Sequence, residues 1–290
     1  KVQFRDAAIY INSSVDGQLD IVADTEIQIA ATTIDINGAI VASGDISAAS
    51  LDISGNVDVD GTANLDILDV DGAANFAADV TLGDEAGTAI TTGDENTFIG
   101  YTAGDATTTA TGNTALGFSA LTTNILGSNS VAIGRAALQV QNPASAVNMY
   151  NVAVGHGAGE SVTTGIRNTL IGGRAGDALT TASNNTAVGY ASLGANTTGA
   201  FNVALGQNAL GANTTASQNT AVGAVSLDAN TTGADNVAMG TSSLGVNTTG
   251  GQNTGLGTNA LGANTTASNN TAVGFNSLLS NTTGTENVGL

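Results

Sequence analysis

The stretch Asn185-Thr-Ala-Val-Gly-Tyr-Ala-Ser-Leu-Gly-Ala-Asn-Thr-Thr-Gly199, with Asn202-Val-Ala-Leu-Gly-Gln-Asn-Ala-Leu210 close behind it, decides how this chain folds. Its first five residues return in close variants starting at Asn96, Asn113, Asn151, Asn168, Asn202, Asn219, Asn236, Asn253, Asn270 and Asn287, and once with Ser130 in the Asn place. The closing glycines run from Gly100 and Gly117 to Gly257 and Gly274. They lie 17 residues apart at every step but one, Gly134 to Gly155, which is 21. That rung carries four extra residues around Gln139–Tyr150. Four residues after each glycine comes Leu, as in Leu121, Leu193 and Leu261, or Gly at Gly104, Gly159 and Gly176. Asn-Thr-Thr then recurs at 196–198, 213–215, 230–232, 247–249, 264–266 and 281–283.

A fixed short period is the mark of a stacked repeat, in which each copy covers the next. A helix is excluded, since Gly, Asn and Thr dominate and no i, i+3, i+4 stripe crosses a unit. Each unit reads instead as one turn of a coil with a short strand. The branched residue before each rung glycine (Ile99, Leu116, Ile133, Val188, Leu205, Met239 and their equivalents) is expected to point inward. The Ala before it suits close backbone packing. Gly and Asn supply turns at φ > 0, and Asn or Thr stacked rung over rung can form side-chain ladders. At about 4.8 Å per rung, twelve rungs span roughly 55 Å. Two or so large apolar side chains per rung are few against 17 ordered backbones, which favours association of several copies.

Composition narrows the function. The 290 residues include 39 Gly but only 3% aromatics, one Pro and no Cys or Trp. Val, Ile, Leu and Ala must fill a thin interior. A net charge of −19 with five Lys and Arg argues against nucleic acid and against an anionic membrane surface. No apolar run is long enough to span a bilayer as a helix. Without Cys there are no disulfides or thiolate metal sites. Residues 1–95 carry 18 of the 24 acids and two cations, a net −16, whereas residues 96–290 carry six acids and three Arg, a net −3. This step places a boundary near residue 95, between an acidic stem at 1–95 and a repeat region at 96–290 that is expected to continue beyond 290.

The repeat strings quoted above resemble the heads of trimeric autotransporter adhesins of the YadA type. They resemble more closely the repeats of phage tail fibres whose relatives often end in an endosialidase-type intramolecular chaperone, because adhesin units are usually shorter. The resemblance covers about two-thirds of the chain. It implies an all-β, elongated homotrimeric fibre whose 96–290 segment is a parallel left-handed β-roll, with a role in host attachment. The stem alternates apolar and polar residues, as in Ile34-Asp-Ile-Asn-Gly38 and Val57-Asp-Val-Asp-Gly61. It resembles fibre stems in which three chains wrap into a β-prism or β-helix. The expected partners are the chain itself, other virion tail proteins and a host-cell receptor, at a virion tail. The alternative is an adhesin on a bacterial surface. An ice-binding or matrix solenoid would need flat Thr arrays, which adjacent Thr-Thr at a turn fits poorly.

No residues form a catalytic constellation, so no enzyme and no cofactor is expected. His156, the single histidine, follows a rung glycine. Its equivalents (Tyr101, Phe118, Arg135, Gly173, Tyr190, Gln207 and others) vary so much that the place reads as exposed, and it has no partner at metal or triad spacing. Asp58-Val-Asp60-Gly61 and Asp69-Val-Asp71-Gly72 open like calcium loops but lack the third ligand and the later Glu; they read as turns. Glycan hydrolysis would need paired carboxylates, and the repeats' acids have no register. The Gly-rich strings lack the Lys of a phosphate loop. The insertion is the natural contact loop, with Pro143, Met149 and Tyr150 as candidate partner contacts.

Overall fold

The computed structural model describes residues 10–12, 20–22 and 80–290. The chain divides into two compact units, 1–69 and 70–290. In the first, Tyr10–Asn12 pairs antiparallel with Asp20–Val22. The alternating segments of 34–72, the stem's prism and both Asp-Val-Asp-Gly turns lie outside the described residues.

The second unit is a parallel β-solenoid with one short strand per turn. Thirteen strands, from Val80–Leu82 to Val288–Gly289, form one sheet in which each pairs only with the rungs before and after it. The register is the sequence period itself: Thr186, Ala187 and Val188 face Val203, Ala204 and Leu205. Across the long rung, Val131 faces Val152. The solenoid holds one rung more than the repeated string announces, because Val80–Leu82 pairs with Thr97–Ile99. Gly83 there has the φ of a rung glycine, 127°. Rung glycines are required twice over. Their φ lies between 121° and 139°, and a Cβ on Gly189 would sit 2.7 Å from the carbonyl of Gly206.

Positions are counted below from each rung glycine. The interior is made by Ala at −2 and Leu at +4, with Phe98 and Leu170 taking the Ala place in two rungs; all of these are fully buried except Leu278 near the end, whereas Thr81, at −2 of the first rung, is exposed. The side chain at −1 points away from this core. Leu116, Ile171, Leu205, Met239 and Val273 are 39–46% exposed while their −2 neighbours are at 0%. The expectation that the branched residue faces inward is therefore corrected. Strand side chains alternate, the coil is too narrow for two branched residues per strand, and the small Ala takes the inside.

The rest of the interior is Asn. At −4, the Asn202 N–H donates to Asn185 Oδ1 (3.0 Å), and Asn185 Nδ2 donates to the Gly199 carbonyl of its own turn (3.0 Å). The N–H to Oδ1 bond between rungs recurs from Asn151 to Asn287. A second ladder stands at +7, where Asn213, Asn230, Asn247 and Asn264 each donate Nδ2 to the Asn Oδ1 one rung earlier, at 2.9–3.1 Å. Buried backbone groups must find partners, and these side chains supply them where no strand does. The expected Asn ladders are present. The turns themselves are not confined to Gly and Asn: Leu at +4, Ala191, Val225 and Phe201 also hold φ of 48–60°.

Candidate functional site

The outer face of the sheet is the first candidate. Positions −3 and −1 put two columns there, Thr or Val in one and Leu, Ile, Val or Met in the other. Across thirteen strands neither column holds a charged residue. A chain of net charge −19 thus leaves one of its surfaces apolar and uncharged. Long exposed sheet faces of this kind are normally covered.

The insertion is the second. Asn142 still bonds in the turn register, its N–H donating to the Thr163 carbonyl, and the Met149 carbonyl already receives Arg167 N–H as the next rungs require. The extra residues therefore fall within 143–148, where Gly127–Ser128 and Val147–Asn148 form a small parallel pair. Of the three candidate contacts, Pro143 and Met149 are buried and Tyr150 is 51% exposed. Met149 turns inward against Gly127. Tyr150 accepts a hydrogen bond from Asn148 at its hydroxyl (3.1 Å). Gln141 repairs the ladder where Ser130 replaces Asn. Its amide donates to Asn124 Oδ1 and Ser130 Oγ, and its carbonyl accepts from Asn151. Sequence reasoning missed this residue; its signal was that Gln141 sits at +7, where other rungs have Asn.

The third is the column at +1. It is exposed as expected, Gly173 alone being half-buried. Tyr101 and Phe118 stack at 5.5 Å and 21°. The Arg135 guanidinium lies 5.5 Å from the Phe118 ring centre, and its Nη1 donates to His156 Nε2 at 3.1 Å. Hydrogen bonding to Glu85, reinforced by its charge, raises the Tyr101 phenol above its ordinary range. Arg174 donates to Asp177 at 2.9 Å, and Asp177 with Tyr190 holds the guanidinium charged. Among the described residues the cations are Arg135, Arg167 and Arg174, all in consecutive rungs with His156. His156 meets no carboxylate there, and the described residues contain no cluster of three acids or His fit to hold a metal.

No family model, curated protein or solved structure matches this chain.

Proposed function

We propose that this chain is a non-enzymatic shaft segment of a homotrimeric, left-handed attachment fibre, of the kind carried on a virion tail. The observation that carries it is the uncharged outer face of the sheet. Its occupant should be other copies of the same chain. A partner that covers thirteen rungs must match their pitch, and a second solenoid with the same 17-residue turn does. Copies this acidic repel one another across most of their surface, so they approach where charge is absent. The thin interior supports the same reading. The number three, the hand of the coil, the tail location and the receptor-facing role rest on the resemblance of the repeats. A bacterial adhesin would use the same shaft; a membrane-barrel segment encoded at the end of the full-length gene would favour it.

Light scattering of the purified chain should give three times its 28.2 kDa mass. The chain has no Cys, so Val222→Cys on the outer face should yield disulfide-linked copies without unfolding. A monomer of native secondary structure, or no crosslink at Val222→Cys, overturns the proposal.

A further inference from the structure

Between the +2 and +6 columns the later rungs carry a trough, and the geometry points to it as a binding site for an unbranched aliphatic amine, its ammonium on Asp228 and its methylenes over Gly245. A cavity of about 560 Å³ opens there, a volume in the range of small-molecule sites. Gly245 and Gly262, at +5, form its floor. Val225 at +2 and Val246 at +6 line its sides, with Asp228 at one end and Leu279 at the other. A second cavity, of about 490 Å³, continues the trough toward Asp177 and shares Asp228.

The floor is open at Gly245. The three atoms nearest to a Cβ built there all belong to the backbone of Ser242 in the same turn, at 3.2–3.5 Å, and no side chain of a neighbouring rung comes as close. The glycines on either side of this stretch differ, since Asp228 leans back over Gly211 and Leu279 over Gly262. Nor does the backbone ask for glycine at +5. Gly245 lies outside the left-handed region, and Thr122, Gln139 and Glu160 stand at +5 in other rungs. The gap is thus a property of the surface, bounded by a carboxylate and a Leu side chain.

Charge selects the head of the ligand. Asp228 is half-buried and has neither a hydrogen bond nor an ion pair. Burial raises its pKa, and a cation beside it would restore the ionised form. The chain itself supplies none: residues 175–290 hold Asp177, Asp228, Asp235 and Glu286 but no Lys, Arg or His. Arg174, at the other end of the second cavity, is held by Asp177. No further charged side chain lines either cavity, so the trough as a whole is negative. The walls select the tail. Val246 and Leu279 are 45% and 38% exposed, and methylenes gain from covering them. From the rung of Asp228 to that of Gly262 is two steps, roughly 9.5 Å, a length that a hexyl chain spans. A floor one residue wide favours a chain without branches.

This goes beyond the shaft reading and does not rest on it, because the trough uses the +2, +5 and +6 columns and not the −3 and −1 columns of the sheet face. The test is titration of the full chain with n-hexylammonium at pH 7, and in parallel with n-hexanol and hexanoate, followed by calorimetry and by the amide resonance of Gly245. Saturable binding of hexylammonium with a Kd below about 5 mM is expected, with hexanol at least about tenfold weaker and hexanoate not saturating. Asp228→Asn should weaken hexylammonium binding at least about tenfold while circular dichroism stays unchanged. Gly245→Leu, which fills the floor, should weaken it as much; should that variant misfold, Asp228→Asn decides alone. Saturating hexylammonium should also lower the Asp228 pKa, read from its carboxyl carbon resonance. No saturable hexylammonium binding up to about 10 mM, equal binding of hexanol, an unmoved Asp228 titration, or undiminished binding by a folded variant overturns the proposal.

Discussion

The turns at 151–180 and those at 185–281 share one backbone and fill it differently. In the later group, +4 is Leu and +7 is Asn, as in Leu193 and Asn196. In the earlier group, +4 is Gly159 or Gly176, and the apolar bulk has moved to Val162 and Leu179 at +7. The exchange is steric. A Cβ on Gly176 would lie 2.6 Å from Leu179 and 2.8 Å from Leu170, so the space that Leu fills elsewhere is already taken. What moves with it is polar: the +7 Asn ladder stops, and only the −4 ladder runs through both groups. A solenoid turn thus fixes the total of its contents and the partners of its backbone, not which position supplies them.

The largest effect should come from cutting the shared ladder, and it should differ between the groups. Asn168 Nδ2 is the side-chain donor to the Ala182 carbonyl, and its Oδ1 accepts Asn185 N–H. Asn168→Ala leaves both backbone groups buried and unpaired, at about 1–3 kcal/mol each, so a loss of about 4 kcal/mol is expected in urea unfolding. Asn202→Ala strips only Asn219 N–H, because the Ala216 carbonyl keeps Asn213; about 2 kcal/mol is expected there. Equal losses at the two sites would mean that the second ladder contributes nothing.

Next comes an attempt to convert one group into the other at their border. Leu193→Gly opens a cavity where Leu is fully buried and should cost about 3 kcal/mol, within the range for large core truncations. Adding Asn196→Leu should return only about 1 kcal/mol of that, since the Gly199 carbonyl retains the Asn185 amide but the Gly199 N–H and Asn213 Nδ2 lose Asn196 Oδ1 as acceptor. A double variant no better than Leu193→Gly would refute the exchange of volume between +4 and +7.

The period, the strand at each glycine, the stacking register and the Asn ladders were all legible in the sequence, because a 17-residue recurrence repeats the evidence many times. The direction of the strand side chains was not. Both −2 and −1 are apolar, and alternation alone does not say which is inside; the width of the coil decides it, and that depends on contacts between turns. The rung at Val80–Leu82 was hidden because Asp79 stands where most others have Asn and Thr81 where most have Ala. In the insertion, nothing in the sequence told Met149, which is buried, from Tyr150, which is exposed. Of the +1 column, exposure was legible from its variability. The contact of Phe118, Arg135 and His156 was not, since it depends on side-chain reach between rungs.

Left-handed backbone offers a smaller test that spans both groups. Position +2 carries φ of 50–64° in every rung, met by Asn208 and Asn259 but also by the β-branched Val225 at 50°. Branched residues are the least tolerant of that conformation and Asn among the most. Val225→Asn should therefore stabilise by about 1 kcal/mol in urea unfolding, while Asn208→Val should lose a similar amount. No change at either site would mean that the hydrogen bonds between turns set this conformation without strain.

The smallest effect concerns Asp228, which breaks the run of glycines at +5 in the later group and whose carboxylate lies over Gly211. Partial burial raises its pKa. A carboxyl with a raised folded pKa binds protons more readily in the folded state than in the unfolded one. Its ionised form is therefore slightly destabilising above the folded pKa, and the penalty disappears as pH falls through the carboxylate range. Because the group is largely solvated, Asp228→Asn should stabilise by no more than about 0.5 kcal/mol at pH 7 and by nothing at pH 3. A gain of the same size at both pH values would assign the effect to packing over Gly211 and not to charge.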